Sequence, residues 1–227
     1  KFGPDKINFT IALGRFPKDK IEVVKNRYAD SLNYVDSQIG KLIQHLKNNN
    51  LWDKTIVVVS GDTGQAFYEH GFASHANTPF EEIMKTPVIF YAPNIVHGID
   101  LRPSQHIDIP PSIFYLLGLP THPSFQGINL FLKSFSSSRS RYLLFQPSFI
   151  EAAIVRRNFK LIYTPHLKRH LLYDLENDPL ETQNIADQHL YITHSLSERL
   201  KIWMELQINY YENKKIHSKE YPPVLLD

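Results

Sequence analysis

Cysteine is absent from all 227 residues. That excludes disulfides, thiolate metal sites and cysteine nucleophiles within this stretch, and it assigns no compartment. No run of about 18 consecutive apolar residues occurs, so no helix-type membrane span is expected here. Charge of one sign is also scarce. With 25 Lys+Arg against 23 Asp+Glu the formal charge is +2, and no dense basic block appears, so no nucleic-acid partner is expected. The basic groups Arg139–Arg141 and Arg156–Arg157 read as solvated surface. The chain opens at "KFGPDKINFTIALG" with no initiator Met and no signal-peptide pattern. It is expected to be a piece of a longer product, with targeting segments upstream.

What is present is an alternation of helix and strand signals. Asn8–Leu13 reads as a short strand. From Lys20 to Lys47, Ile21, Val24, Tyr28, Leu32, Val35, Ile39, Leu42 and Leu46 recur at spacings of three and four, one apolar stripe of a helix. "KNNN" ends it, because Asn tolerates the left-handed cap position. Thr55–Ser60 and Thr86–Ala92 are apolar on both faces, the pattern of central parallel strands covered by helices. A helix is expected over Pro111–Leu117, with Asp108 as its N-cap and Gly118 as its stop. The serine-rich stretch after Leu132 reads as a linker. Beyond it lie short strand-like runs at Tyr142–Phe145, Ala152–Arg156 and Lys160–Tyr163, a turn at "ENDP", and a helix with Leu196, Leu200, Trp203 and Leu206 on one face. The expected organisation is an α/β core over 1–132, a linker over 133–141 and a small α+β appendage over 142–227.

One stretch points to chemistry. "IVVVSGDTGQAFYEHGFASHAN" places Asp62 just past an apolar strand, then Thr63, His70 and His75 in the loop that follows. In open α/β sheets functional groups gather beyond the carboxyl ends of strands. A carboxylate with nearby imidazoles can bind a divalent metal or cradle a tetrahedral oxyanion. On residue types alone Asp62 is equally a turn residue, since "GDTG" is good turn chemistry. Taken singly, His70 and His75 read as surface or hydrogen-bonded histidines.

Several phrases in order resemble the sulfatase branch of the alkaline phosphatase superfamily. "NYVDSQIGKLIQHL" is similar to that family's "VDxxIGxLLxxL", and "SGDTG" to its "SDHG" or "SDNG" at a strand end. "TPVIFYAP" is similar to "VPLIIYAP", "SQHIDIPPSIFYLLGLP" to "VSHIDLAPTLLDLAGLP", and "LLYDLENDPLETQNIAD" to "LYDLENDPGETNNLA". The resemblance covers most of residues 28–187, and it implies an alkaline-phosphatase-like α/β fold described as a parallel-sheet sandwich with a small α+β subdomain.

The resemblance also implies a site. Asp62 falls on a metal ligand, and Thr63 on a position that the family fills with His or Asn. A neutral hydroxyl favours a hard ion, Ca²⁺ first, with Mg²⁺, Mn²⁺ or Zn²⁺ behind it. His75 falls on a residue that contacts the sulfate or phosphate group, and His70 lies near it with a looser match. Lys85 aligns with a residue that is often structural. Asp36 and Asp108 match family aspartates but read as helix-face and helix-cap residues, while Asp174, Glu176 and Asp178 read as turn chemistry. The family's formylglycine motif and its first Asp pair are absent, so the chain resembles roughly the carboxyl-terminal half of such a protein, its partner being the missing amino-terminal half.

Three readings follow from the resemblance. The first is a metal-dependent sulfuric ester hydrolase whose nucleophile lies upstream, this chain alone being inactive. The second is a phosphoethanolamine or phosphoryl transferase, or a phosphatase, on envelope lipids, which the "GFASH" form of the loop supports. The third is a catalytically dead relative with a binding role, to which Thr63 points. The "GFASH" form also implies a periplasmic or extracellular-face location with membrane attachment upstream.

Overall fold

The long periodic stripe folds as helix α1, Ile21–Asn48, and its end follows the expected chemistry. Asn50 takes φ 56°, the left-handed conformation. Asn50 N–H then donates to the Lys47 carbonyl and Leu51 N–H to the Leu46 carbonyl, which satisfies two carbonyls the last turn leaves open. The computed structural model describes residues 16–75, 78–132, 139–144, 151–217 and 219–225. The expected strand at Asn8–Leu13 and residues 133–138 of the expected linker lie outside them.

The chain divides into two compact units, 1–97 and 98–227. In the first, α1 is followed by strands β1 (Val57–Ser60), β2 (Ala66–Phe67) and β3 (Ala73–Ser74), the single-turn helix α2 (Glu81–Met84) and strand β4 (Val88–Tyr91). β1 and β4 pair antiparallel, with Val57 opposite Tyr91 and Ser60 opposite Val88. This corrects the expectation of parallel central strands. An apolar run reports burial, and the direction of its neighbour is set elsewhere. β2 and β3 form a second antiparallel pair, Ala66 opposite Ser74.

The core of this unit gathers Phe16, Val24 and Ala73, with Ile21, Phe67 and Tyr68 packed against them. The amino-terminal turns of α1 therefore support the loop between β2 and β3. Farther along α1 the predicted stripe is present but open, with Leu32, Val35 and Leu42 each more than half exposed.

In the second unit a 3-10 turn, His106–Asp108, leads into α3, Ile109–Leu116. Gly118 at φ +68° stops that helix as expected. Asp108 precedes α3, yet its carboxylate caps nothing in it. It is fully buried; Oδ2 accepts from the Gln105 N–H at 2.8 Å and from Arg139, and Oδ1 accepts from the Ile128 N–H at 2.9 Å. Arg139 is thus a mostly buried ion-pair partner, not the solvated surface residue expected from its basic neighbourhood.

Strands β5 (Arg141–Leu144), β6 (Ala152–Arg156), β7 (Phe159–Thr164) and β8 (Arg169–Asp174) form one antiparallel sheet in sequence order. Helices α4 (Leu190–Glu212) and α5 (Lys214–His217) follow. Ala152, Ile154, Leu161 and Leu172 from the sheet meet Ala186, Leu196 and Leu200 in the core. Of the expected α4 face, Leu196 and Leu200 are buried while Leu206 is 37% exposed. The "YDLENDP" acids are turn chemistry: Asp174 accepts from the side-chain amides of Asn158 and Asn177, and Asp178 from Thr182 and Gln183. The Asn177 bond leads the interactions that hold the Asp174 carboxyl below its ordinary range, against a partial opposing effect of burial.

At the seam between sheet and α4, His170 Nε2 lies 2.8 Å from Ser197 Oγ, and its ring stacks on Tyr163 at 4.9 Å. Burial, and then the Lys201 charge, hold the His170 imidazole below its ordinary pKa of 6.5; Glu198 opposes them. The folded chain thus favours the neutral ring. Its contribution to stability is present above the unfolded pKa and is lost as the pH falls below it toward the lower folded value. The melting temperature should therefore drop between pH 7 and pH 5, and His170→Gln should flatten that drop. Equal slopes for both proteins would remove His170 from the account.

Candidate active site

The strand-end bend is built by hydrogen bonds to α2. Asp62 leaves β1 exposed to solvent, and its Oδ1 accepts from the Thr63 N–H at 2.9 Å. Thr63 Oγ1 donates toward the Ile83 carbonyl at 3.1 Å and the Gly64 carbonyl at 3.3 Å. The Gly64 N–H donates to the same Ile83 carbonyl at 2.7 Å. Glycine is required at position 64 by this approach, since a Cβ there would lie 2.1 Å from the Glu82 carbonyl oxygen. Just before the bend, the Gly61 N–H reaches the Pro87 carbonyl at 3.3 Å.

The loop that follows is held from two sides. Tyr68, at φ 76°, donates its hydroxyl to the Phe16 carbonyl at 2.5 Å and accepts from the Phe16 N–H at 3.1 Å. His70 Nδ1 lies 2.8 Å from Glu82 Oε1, and both side chains are mostly buried. The His70 ring lies parallel on Phe80, with centroids 3.7 Å apart. Ser74 takes φ 85°, and His75 follows it, exposed, with Nδ1 3.5 Å from Ser74 Oγ. Tyr68 in the loop and Ser74 at the end of β3 are two non-glycine residues with positive φ, and they carry a cost that only a firm surround sustains.

The expected site residues are therefore placed unequally. Thr63 and His70 are both tied to α2, Asp62 shares the Thr63 bend, and His75 stands outside these bonds at the end of β3. Lys85 and Asp36 are exposed. Among the described residues no three His, Asp or Glu side chains gather closely enough to hold a metal ion. What the chain offers is one exposed carboxylate and one hydroxyl oxygen. Both are hard donors, and they fit as two of the roughly six to eight oxygens that Ca²⁺ takes. Glu82 was not singled out by the sequence. Its only signal is an acidic pair on a turn too short to show periodicity.

The family model described as Sulfatase matches residues 9–119. The choline-sulfatase of Rhizobium meliloti (strain 1021) is 26% identical over 178 residues, covering 75% of this chain and 34% of that protein. Arylsulfatase K of Homo sapiens is 26% identical over 204 residues, covering 82% and 38%. Among solved structures, BT4656 in complex with its substrate D-glucosamine-2-N,6-O-disulfate superposes with a TM-score of 0.63 at 22% identity, covering 83% of this chain and 41% of that one. The phosphonate monoester hydrolase of Agrobacterium radiobacter gives a TM-score of 0.58 at 22% identity, covering 73% and 38%. The chain thus spans between 34% and 41% of the length of these four relatives. In sequence and in its α/β fold, the chain belongs to the sulfatase family of the alkaline phosphatase superfamily.

Proposed function

We propose that this chain is the carboxyl-terminal portion of a metal-dependent sulfuric ester hydrolase. The observation that carries the reading is the bend at Asp62: an exposed carboxylate held at the end of β1, inside the stretch that the sulfatase family matches. Asp62 through its carboxylate and Thr63 through its hydroxyl oxygen would hold a hard divalent ion, Ca²⁺ first. When bound, such an ion neutralises charge on the oxygens of the ester. His75 would hold the charge that develops on the sulfate as the ester bond breaks, and His70 would be a second residue that binds the sulfate. The nucleophile, a formylglycine, would come from outside these 227 residues, in an amino-terminal portion of the same fold. That portion would also cover the open stripe of α1. The proposal includes a periplasmic or extracellular-face location with membrane attachment, which rests on the "GFASH" resemblance alone.

The test uses the longest natural form of the protein with aryl sulfate, choline sulfate, aryl phosphate and phosphonate monoester probes. Turnover of a sulfate ester in preference to its phosphorus analogues is expected. Turnover of phosphorus esters alone would replace this reading with the phosphoryl-transfer one. A second reading, a binding protein that has lost catalysis, draws on one observation: the Thr63 hydroxyl proton is engaged with backbone carbonyls, as a purely structural threonine's would be. Inertness toward every probe would favour it.

A further inference from the structure

We propose that Glu82 is the positioning residue of this site, acting through His70, and that the single turn α2 holds the Thr63–Gly64 bend and the His70 ring together. The inference rests on the hydrolase reading for what the loop binds, a tetrahedral sulfate. The placement itself rests on this chain's own contacts.

Three groups of α2 and its approach reach the loop. The Ile83 carbonyl accepts from Thr63 Oγ1 and from the Gly64 N–H, which fixes the bend that presents Asp62. Glu82 Oε1 meets His70 Nδ1 at 2.8 Å. Phe80, immediately before the helix, stacks flat on the His70 ring. Neighbouring residues of one helical turn thus hold both the first and the middle part of the loop. Ile83 and Glu82 are adjacent, so one turn of helix anchors both parts.

The chemistry of the pair is directional. An ionised Glu82 accepts a proton-bearing Nδ1, so Nδ1 keeps its hydrogen in both the neutral and the charged imidazole. Nε2 is then the nitrogen that titrates. A second carboxylate–imidazole effect follows: the Glu82 charge favours the imidazolium, which is the form that attracts an anion. Glu82 never touches the substrate in this arrangement. It fixes which way the ring faces, which tautomer it holds and how readily it carries charge.

Two variants of the longest natural form separate these roles. Glu82→Gln keeps an acceptor oxygen for Nδ1 but removes the charge, and Glu82→Ala removes both. Glu69 and Glu81 stay in place in each, so a change in His70 reports Glu82. The readouts are the His70 titration by NMR, the affinity for inorganic sulfate and the pH profile of sulfate-ester turnover. Glu82→Gln should lower the His70 titration midpoint by about one pH unit and move the matching limb of the pH profile with it. Glu82→Ala should weaken sulfate binding at least about tenfold, and Glu82→Gln by less. An unchanged His70 midpoint in Glu82→Gln, or sulfate affinity equal to wild type in Glu82→Ala, overturns the proposal. If the midpoint and the sulfate affinity change as expected while the wild type turns over no sulfate ester, the positioning role stands and the hydrolase reading fails.

Discussion

Lys160→Ala is expected to cost about 3–5 kcal/mol of stability, because it leaves the Glu181 carboxylate buried without its cation. The two side chains meet at 2.9 Å with no solvent exposure on either. Lys160 sits on β7 opposite Tyr173 of β8, and Glu181 comes from the loop after β8. Tyr173 shares this environment. Burial, followed by the charges of Glu181 and Asp178, pushes its hydroxyl up to about 12, so it stays protonated and adds no second anion. For a chain of this size the loss corresponds to a melting temperature lower by roughly 6–20 °C. Glu181 also takes φ 53°, so the ion pair holds a strained residue in place. Replacing both partners, Lys160→Met with Glu181→Leu, should recover much of the loss, since a matched apolar pair leaves no uncompensated charge. A single variant that loses less than about 1 kcal/mol would show that water or rearrangement satisfies Glu181.

Asp62→Ala is expected to show the opposite signature: a large loss of function at little cost in stability. The Asp62 side chain is exposed, and its one described bond is to the neighbouring Thr63 N–H, so the melting temperature should move little. Turnover of sulfate esters by the longest natural form should fall at least about a hundredfold, the order expected when a group that stabilises transition-state charge is removed. Thr63→Ala should behave differently. It removes a bond to the Ile83 carbonyl, so stability and geometry suffer together. Unchanged turnover in Asp62→Ala would return this residue to plain turn chemistry.

Much of this molecule is legible in the sequence where the signal is local. The stripe of α1, the Asn50 cap, the Gly118 stop and the span of β6 follow from spacing and from residue conformations that only a few side chains tolerate. What the sequence does not disclose is pairing at a distance. The apolar runs of β1 and β4 carry no mark of their antiparallel partnership. Asp108 stands where an N-cap belongs, yet its carboxylate turns to Gln105, Ile128 and Arg139. Strand β8 is polar at its start and merges with a turn phrase, so neither alternation nor length announces it. The site divides in the same way. Asp62 and the two histidines stand out by residue type, whereas Glu82 matters only because the fold brings it to His70 from twelve residues away.

The central claim is that the Asp62 bend is one side of a working metal site. Elemental mass spectrometry on the longest natural form, beside its Asp62→Ala variant, tests it most directly. The account predicts one stoichiometric divalent ion, calcium before magnesium, manganese or zinc, present in the wild type and lost in the variant. No ion in either protein after incubation with each of these metals, or equal metal in both, would contradict it.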